Sequence, residues 1–269
     1  MTESTPLLRV RDAEVTYKGR GRSAKLAVRG VSLDVHPGEI VGIVGESGCG
    51  KSSLARAMVG LQATSGGSIE FLGERVRPLP IRRRAASMIP LQMVFQDPNA
   101  SLNPRRRVDE QIGEVIRGSR KAMRQAVPSK AEVDALVADA LDRVGLDPAL
   151  RRRYPHALSG GQRQRVAIAK VLAVDTKMII ADEPIASLDA SSQKRVGALL
   201  RNLVDTMGIG MAIISHDLAV VASIADTMAV MRAGEFVEKG TAEQLWTHAR
   251  QPYTRELLGA VPSLVSRAA

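Results

Sequence analysis

Three groups of residues in this chain carry types and spacings that suit chemistry on phosphates. The first is Gly45-Glu-Ser-Gly-Cys-Gly-Lys-Ser52, followed by Ser53, which has the form G-x-x-x-x-G-K-[ST]. Gly45, Gly48 and Gly50 permit a tight backbone path that turns successive N–H groups inward. Those donors, with the positive end of a following helix, suit the β- and γ-phosphates of a nucleoside triphosphate. Lys51 is spaced to reach the β/γ oxygens and Ser52 to ligate Mg²⁺. Glu46, Ser47, Cys49 and Ser53 complete the segment expected to line a nucleotide site. The bland reading is a glycine-rich strand-to-helix turn, which the Lys-Ser ending argues against.

The second group is Asp182-Glu183, at the end of the apolar run Met178-Ile-Ile-Ala. Acids at the carboxyl end of a buried strand face the crevice where α/β sheets bind ligands. Asp182 is then placed to hold Mg²⁺, and Glu183 to take a proton from attacking water. Taken alone, the pair could equally cap a helix. His216 follows a similar run, Met211–Ser215, and would project from the same sheet edge toward the γ-phosphate. Gln96 ends a short apolar run, Met93-Val-Phe; its amide could bridge metal and water, although spacing alone does not single it out. The third group is Leu158-Ser159-Gly160-Gly161-Gln162-Arg-Gln-Arg165, whose glycines and serine would bare backbone donors at a helix start, a second anion site.

These groups need strands to carry them. Glu39–Gly45 is apolar and β-branched, as a buried strand is, and Ser52–Met58 opens a helix. Residues 7–17 and 26–35 alternate apolar with polar, the pattern of half-exposed antiparallel strands; a further β segment covers 67–72. Continuous apolar strands separated by helices signal a covered parallel sheet, hence an α/β fold. From about 98 to 165 the pattern turns helical, with Val133, Leu136, Val137, Ala140, Leu141 and Val144 at helical spacing before Gly145. Residues 227–239 read as a hairpin turning at Ala233-Gly234, and 241–269 as a tail of short helices.

At 269 residues the chain can bury one large core with an inserted subdomain, so 1–269 is expected to be a single domain. No run of eighteen apolar residues exists to span a bilayer, and the first residues lack the basic-then-apolar order of a signal peptide. The net charge is +10. It fits nucleic acid, an anionic membrane face or a partner beneath it, or a merely solvated surface. The clusters Arg82–Arg84, Arg105–Arg107 and Arg151–Arg153 have no interleaved aromatics, which favours a solvated or partner-facing role and no nucleic acid. Cys49 is the one cysteine, so neither an internal disulfide nor a cysteine cluster is expected.

With phosphate loop, Leu158–Gln162 and Asp182-Glu183 in this order, nearly the whole chain resembles the ATPase subunit of an ABC transporter. The resemblance implies a P-loop NTPase with a mainly parallel central sheet, an N-terminal antiparallel β subdomain and an inserted helical subdomain over 98–165. It implies ATP and Mg²⁺ as ligands. One chain has no use for two anion sites on one phosphate. In the family, two subunits pair head to tail, and the Leu158–Gln162 segment of one closes over the ATP of the other. The resemblance also assigns Tyr17 to adenine stacking, Gln96 to the lever toward membrane subunits, His216 to the switch histidine and Asp189 to a contact across the dimer. Read blind, Tyr17 is just a tyrosine ending a strand. Where the family usually has Asp-Glu-Pro-Thr-Ser-Ala-Leu-Asp, this chain reads Asp182-Glu-Pro-Ile-Ala-Ser-Leu-Asp189. Losing the hydroxyls bears on the dimer contact and leaves the acid and the base in place.

Two further segments, 94–108 and Gln251–Pro262, look like the peptide and nickel importer branch, and related glutathione, opine and phosphonate systems share them. Such a chain is expected to pair with a second ATPase subunit, identical or not, and with two integral membrane permeases. A separate solute-binding protein belongs to the same system. The resemblance implies that this chain sits peripherally on the cytoplasmic face of the inner membrane and the solute-binding protein outside the cytoplasm. Relatives with a cysteine-rich tail hold an iron–sulfur cluster; with one cysteine, none is expected here. The alternative is a soluble ATPase of the same type serving another assembly, such as a phosphonate-degrading complex.

Overall fold

The computed structural model describes residues 5–17, 24–79, 84–186 and 188–261. Strands β1 (Leu8–Tyr17), β2 (Lys25–Val35) and β3 (Ile40–Val44) lead to α1 (Lys51–Met58), followed by β4 (Gly66–Phe71), β5 (Glu74–Arg75) and β6 (Leu91–Val94). Helices α2 (Pro98–Ser101), α3 (Val108–Ala122), α4 (Lys130–Arg143) and α5 (Gly160–Leu172) separate β6 from β7 (Met178–Asp182). The chain continues through α6 (Ala190–Met207), β8 (Gly210–Ser215), α7 (Leu218–Ile224), β9 (Thr227–Arg232), β10 (Glu235–Thr241), α8 (Ala242–His248) and α9 (Pro252–Gly259).

Two sheets result. One is antiparallel with strand order β2-β1-β4-β5; the other has the order β10-β9-β3-β8-β7-β6. In the second sheet, β9, β3, β8, β7 and β6 run parallel and only β10 is antiparallel. Burial explains the difference in sequence pattern. β3, β7 and β8 are buried along their whole length, so they read as unbroken apolar runs, whereas β1 and β2 alternate.

Successive residues of the parallel strands serve two cores, because side chains alternate faces with period two. Val41, Ile43, Ile180, Ala212 and Ile214 pack with Leu54 and Met58 of α1 and with the antiparallel sheet. Ile40, Val44, Ile179, Ala181, Met211 and Ile213 pack on the other face with α5, α6 and α7. Each fully buried Ile or Leu contributes about 1.5–3 kcal/mol, so both faces are fixed and register slips are excluded. The β9–β10 turn falls at Ala233 and Gly234, both at positive φ.

Helices start where side chains can cap them. Ser129 and Glu132 form a reciprocal capping box on α4, Ser159 and Gln162 on α5, and Thr241 and Gln244 on α8. Among the basic clusters, Arg106 pairs with Glu114 and Arg107 with Asp109 and Glu110, while Arg105, Arg152 and Arg153 are exposed. Arg82 and Arg83 lie outside the described residues, as do Ser187 and Pro262. Among the described residues no helix is long and apolar enough to cross a membrane.

Candidate nucleotide site

The carboxyl ends of β3, β8, β7 and β6 meet on one edge of the parallel sheet, and each delivers one group. A cleft of about 420 Å³ opens there, lined by Tyr17, Lys25, Ala27, Ser47, Gly48, Gly50, Lys51, Ser52, Ser53, Gln96, Glu183 and His216. Parallel strands make this convergence possible, since all their carboxyl ends share an edge.

The loop after β3 is folded by its glycines. Gly45, Gly48 and Gly50 all have positive φ (151°, 81° and 116°). A Cβ on Gly45 would fall against the Met231 carbonyl oxygen, and one on Gly50 against that of Ala27. Backbone approach on both sides leaves no room for any other residue. The Lys51 side chain, 5% exposed, curls back under this loop. Its ammonium group donates to the carbonyl oxygens of Gly45 at 2.7 Å and Glu46 at 2.8 Å. Its third contact is Cys49 Sγ at 3.8 Å, a weak acceptor that a phosphate oxygen in the cleft would outcompete.

Ser52 and Asp182 form the next layer. The Ser52 hydroxyl donates to Asp182 Oδ1 at 2.9 Å. Burial pushes the Asp182 carboxyl above its ordinary value, while the Ser52 hydrogen bond and the charges of Arg56 and Lys51 pull it back. Because the folded value is raised, the unfolded chain gives up this proton at lower pH. Stability therefore falls as pH rises from the ordinary carboxylate value through the raised one, and the full cost is present above the raised value. Asp182→Asn keeps an oxygen for the Ser52 hydroxyl and removes the buried charge. It is expected to raise the melting temperature of the nucleotide- and metal-free protein, by about 2–4 °C for each kcal/mol relieved. Scanning calorimetry checks this; a lowered melting temperature would contradict it.

Glu183 turns away from the strand at φ 50°, a left-handed conformation rare outside glycine. Its N–H donates to the Ile214 carbonyl at 2.8 Å, which holds the turn. Ser215 Oγ donates to its carboxylate at 3.2 Å, and His216 Nδ1 lies 2.9 Å from the same oxygen. A carboxylate can only accept, so Nδ1 carries the proton in this pair. The Glu183 side chain is 11% exposed and that of His216 57%, so the histidine covers the carboxylate from the solvent side. Gln96 is exposed on the same cleft. Tyr17 lines the cleft and donates from its hydroxyl to Ser53 Oγ at 3.2 Å.

Not every residue of the loop segment faces this cleft. Gly45, Glu46 and Cys49 do not line it; Gly45 and Glu46 offer their carbonyls to Lys51 instead. Asp182 stands behind Ser52. Ser159, Gly161 and Gln162 line a different cleft of about 430 Å³, together with Gly145, Asp147, Arg165, Ser192 and Arg195. Ser159 Oγ accepts from Gln162 N–H at 3.2 Å, and Gln162 Oε1 accepts from Ser159 N–H at 2.9 Å. The side chains thus cap their own helix, and the first N–H groups of α5, Gly160 among them, have no intrahelical acceptor. Asp189 caps α6, accepting from Ser191 Oγ at 2.7 Å and Ser192 N–H at 3.0 Å. Those hydrogen bonds hold its carboxyl below the usual range.

Sequence reasoning missed four contributors. Lys25 and Ala27 of β2 form part of the cleft wall, Ser215 anchors Glu183, and Tyr253 accepts a hydrogen bond from the loop at Glu46. Ser215 stands beside His216, and Tyr253 lies in the 251–262 segment singled out by the family resemblance, though neither setting assigns a role at the loop. Ile185, flagged for its lost hydroxyl, is fully buried in the helical-side core.

A glycine-built loop on a lysine, before a helix and beside a strand-end acidic pair, defines a phosphate-loop nucleotide-binding protein. A family model described as ABC transporter matches residues 28–186, and the chain belongs to that family. The oligopeptide transport ATP-binding protein OppF of Streptococcus mutans is 42% identical over 264 residues, 97% of this chain and 84% of that protein. The dipeptide transport ATP-binding protein DppF of Lactococcus lactis is 41% identical over 265 residues, 98% of this chain and 83% of that protein. Among solved structures, a dimeric, post-hydrolysis ATP-binding cassette, MJ0796 bound to ADP and Pi, superposes with a TM-score of 0.74 at 25% identity. That match covers 87% of this chain and 98% of the cassette.

Proposed function

We propose that this chain is the ATP-binding and ATP-hydrolysing subunit of an importer for peptides or a related small solute. The observation that carries the reading is the meeting of Lys51, Ser52, Gln96, Glu183 and His216 on one cleft at one sheet edge. In this reading Gly48, Gly50, Lys51 and Ser52 hold the phosphates, and Tyr17 packs against the base. Ser47 and Ser53 lie beside them.

Ser52, Asp182 and Gln96 supply hydroxyl, carboxylate and amide oxygens, a hard donor set that fits Mg²⁺, and the Ser52–Asp182 contact already brings two of them together. When bound, the ion would neutralise charge on the β- and γ-phosphates. Glu183, oriented by Ser215 and His216, accepts the proton of the attacking water. His216, when both ring nitrogens carry a proton, donates from Nδ1 to Glu183 and from Nε2 to the γ-phosphate.

The second cleft, at the start of α5, serves the nucleotide of another subunit: Ser159, Gly160, Gly161 and Gln162 close over it, with Asp189 between the two. Closure on two ATP and reopening on hydrolysis would move the helices between β6 and β7, through which two permeases are driven. The subunit then works at the cytoplasmic face of the membrane, in a system with an external solute-binding protein. Relatives named for oligopeptide and dipeptide transport support peptides as the cargo class.

Tagged chain purified in mild detergent is expected to bring down integral membrane proteins, and the complex to hydrolyse ATP. Recovery only with soluble enzymes, with no membrane subunit, would overturn the transport reading.

A further inference from the structure

The phosphate loop is supported from behind by the last third of the chain. Gly45 lies against the Met231 carbonyl at the end of β9, and the Gly234 N–H of the hairpin turn donates to the Cys49 carbonyl at 2.8 Å. The third support comes from α9. The Glu46 N–H donates to the phenolic oxygen of Tyr253 at 3.3 Å, across 207 residues of sequence. Tyr253 is 5% exposed, and the Arg232 guanidinium lies over its ring, 4.7 Å from the centroid. The start of α9 is fixed in turn, because Glu238 accepts from the N–H groups of Arg250 at 2.7 Å and Gln251 at 3.2 Å.

Glu46 is therefore held at both ends. Its N–H is held by Tyr253 and its carbonyl by Lys51, whose ammonium group also holds Gly45. Tyr253 does not line the cleft, so whatever it does to a nucleotide passes through the loop. We infer that Tyr253 is a positioning residue for the phosphate loop: it fixes the Glu46 peptide from which Lys51 is aimed, and so couples α9 to nucleotide affinity. The inference rests on the reading that residues 45–52 bind nucleotide. Coupling of this kind is reciprocal, so nucleotide in the cleft stiffens α9 as much as α9 supports the loop.

Tyr253→Phe keeps the ring and its contact with Arg232 and removes only the accepting oxygen. At 3.3 Å the bond is long in the free chain and tightens when phosphate fixes the loop. Its loss should weaken affinity for a fluorescent ADP analogue by roughly 3- to 10-fold, the range one neutral hydrogen bond sets. KM for ATP in the assembled complex should rise by the same factor, with kcat within about twofold, a split that a general loss of folding would not produce. In the unaltered chain, Mg-ADP should slow amide hydrogen exchange over 252–259, and Tyr253→Phe should reduce that protection. Unaltered affinity in Tyr253→Phe, or exchange over 252–259 that ignores Mg-ADP in the unaltered chain, overturns the inference. If the unaltered chain fails to bind the ADP analogue at all, the nucleotide reading itself falls, and the inference with it.

Discussion

Glu183→Gln in the assembled complex is expected to lower ATP turnover by roughly two to four decades, the range over which a general base contributes. The amide keeps the shape of the side chain and can still meet Ser215 and His216, so the site should remain built. It cannot take a proton from water. ATP should therefore bind and remain intact, and two subunits should stay closed over it, visible as an ATP-dependent dimer on size-exclusion chromatography. The buried position of the carboxylate strengthens the expectation, because little solvent reaches it to act in its place. Turnover equal to that of the unaltered protein would remove Glu183 from the role and redirect attention to Gln96 and His216.

Lys51→Ala acts earlier in the cycle. It removes a charge-assisted contact to phosphate, a class of interaction that corresponds to about 1.5–3 kcal/mol, or about 10- to 150-fold in affinity. It also removes the ammonium donor from the Gly45 and Glu46 carbonyls, leaving Glu46 only the Cys49 N–H at 3.3 Å, so the loop itself loses a support. Titration with a fluorescent nucleotide should show the loss for ADP as well as ATP. The two variants are thus distinguishable: Glu183→Gln binds and does not turn over, whereas Lys51→Ala scarcely binds. A Lys51→Ala protein with normal affinity would show that the loop backbone alone carries the phosphates.

How much of this could be read from the chain alone depends on the range of the contacts involved. The phosphate loop and Asp182-Glu183 are legible because chemistry demands fixed residue types at short spacing, and the flanking apolar runs announce the strands. The α/β class followed from the same runs, and the antiparallel sheet from the alternation in β1 and β2. Tyr17 needed the family resemblance, since a tyrosine at a strand end has no chemical signature of its own. Lys25, Ala27 and Tyr253 could not be found, because their approach to the loop depends on how two sheets and a distant helix pack. Ile185 shows the opposite case. Its departure from pattern was visible as a lost hydroxyl, but that the side chain fills the core, and that Gln193 reaches its carbonyl at 3.4 Å, required the folded chain.

The Lys51 ammonium is already seated on the Gly45 and Glu46 carbonyls, and the loop's glycines are already wedged between Ala27 and Met231. The conformational entropy of that loop is settled when the chain folds, not when a ligand arrives. A cradle formed in advance recognises the phosphates it surrounds, and a diphosphate offers it most of what a triphosphate does. It follows that the loop is a poor gauge of the cell's energy charge. Telling a fresh nucleotide from a spent one falls to the groups beyond the loop that meet the last phosphate.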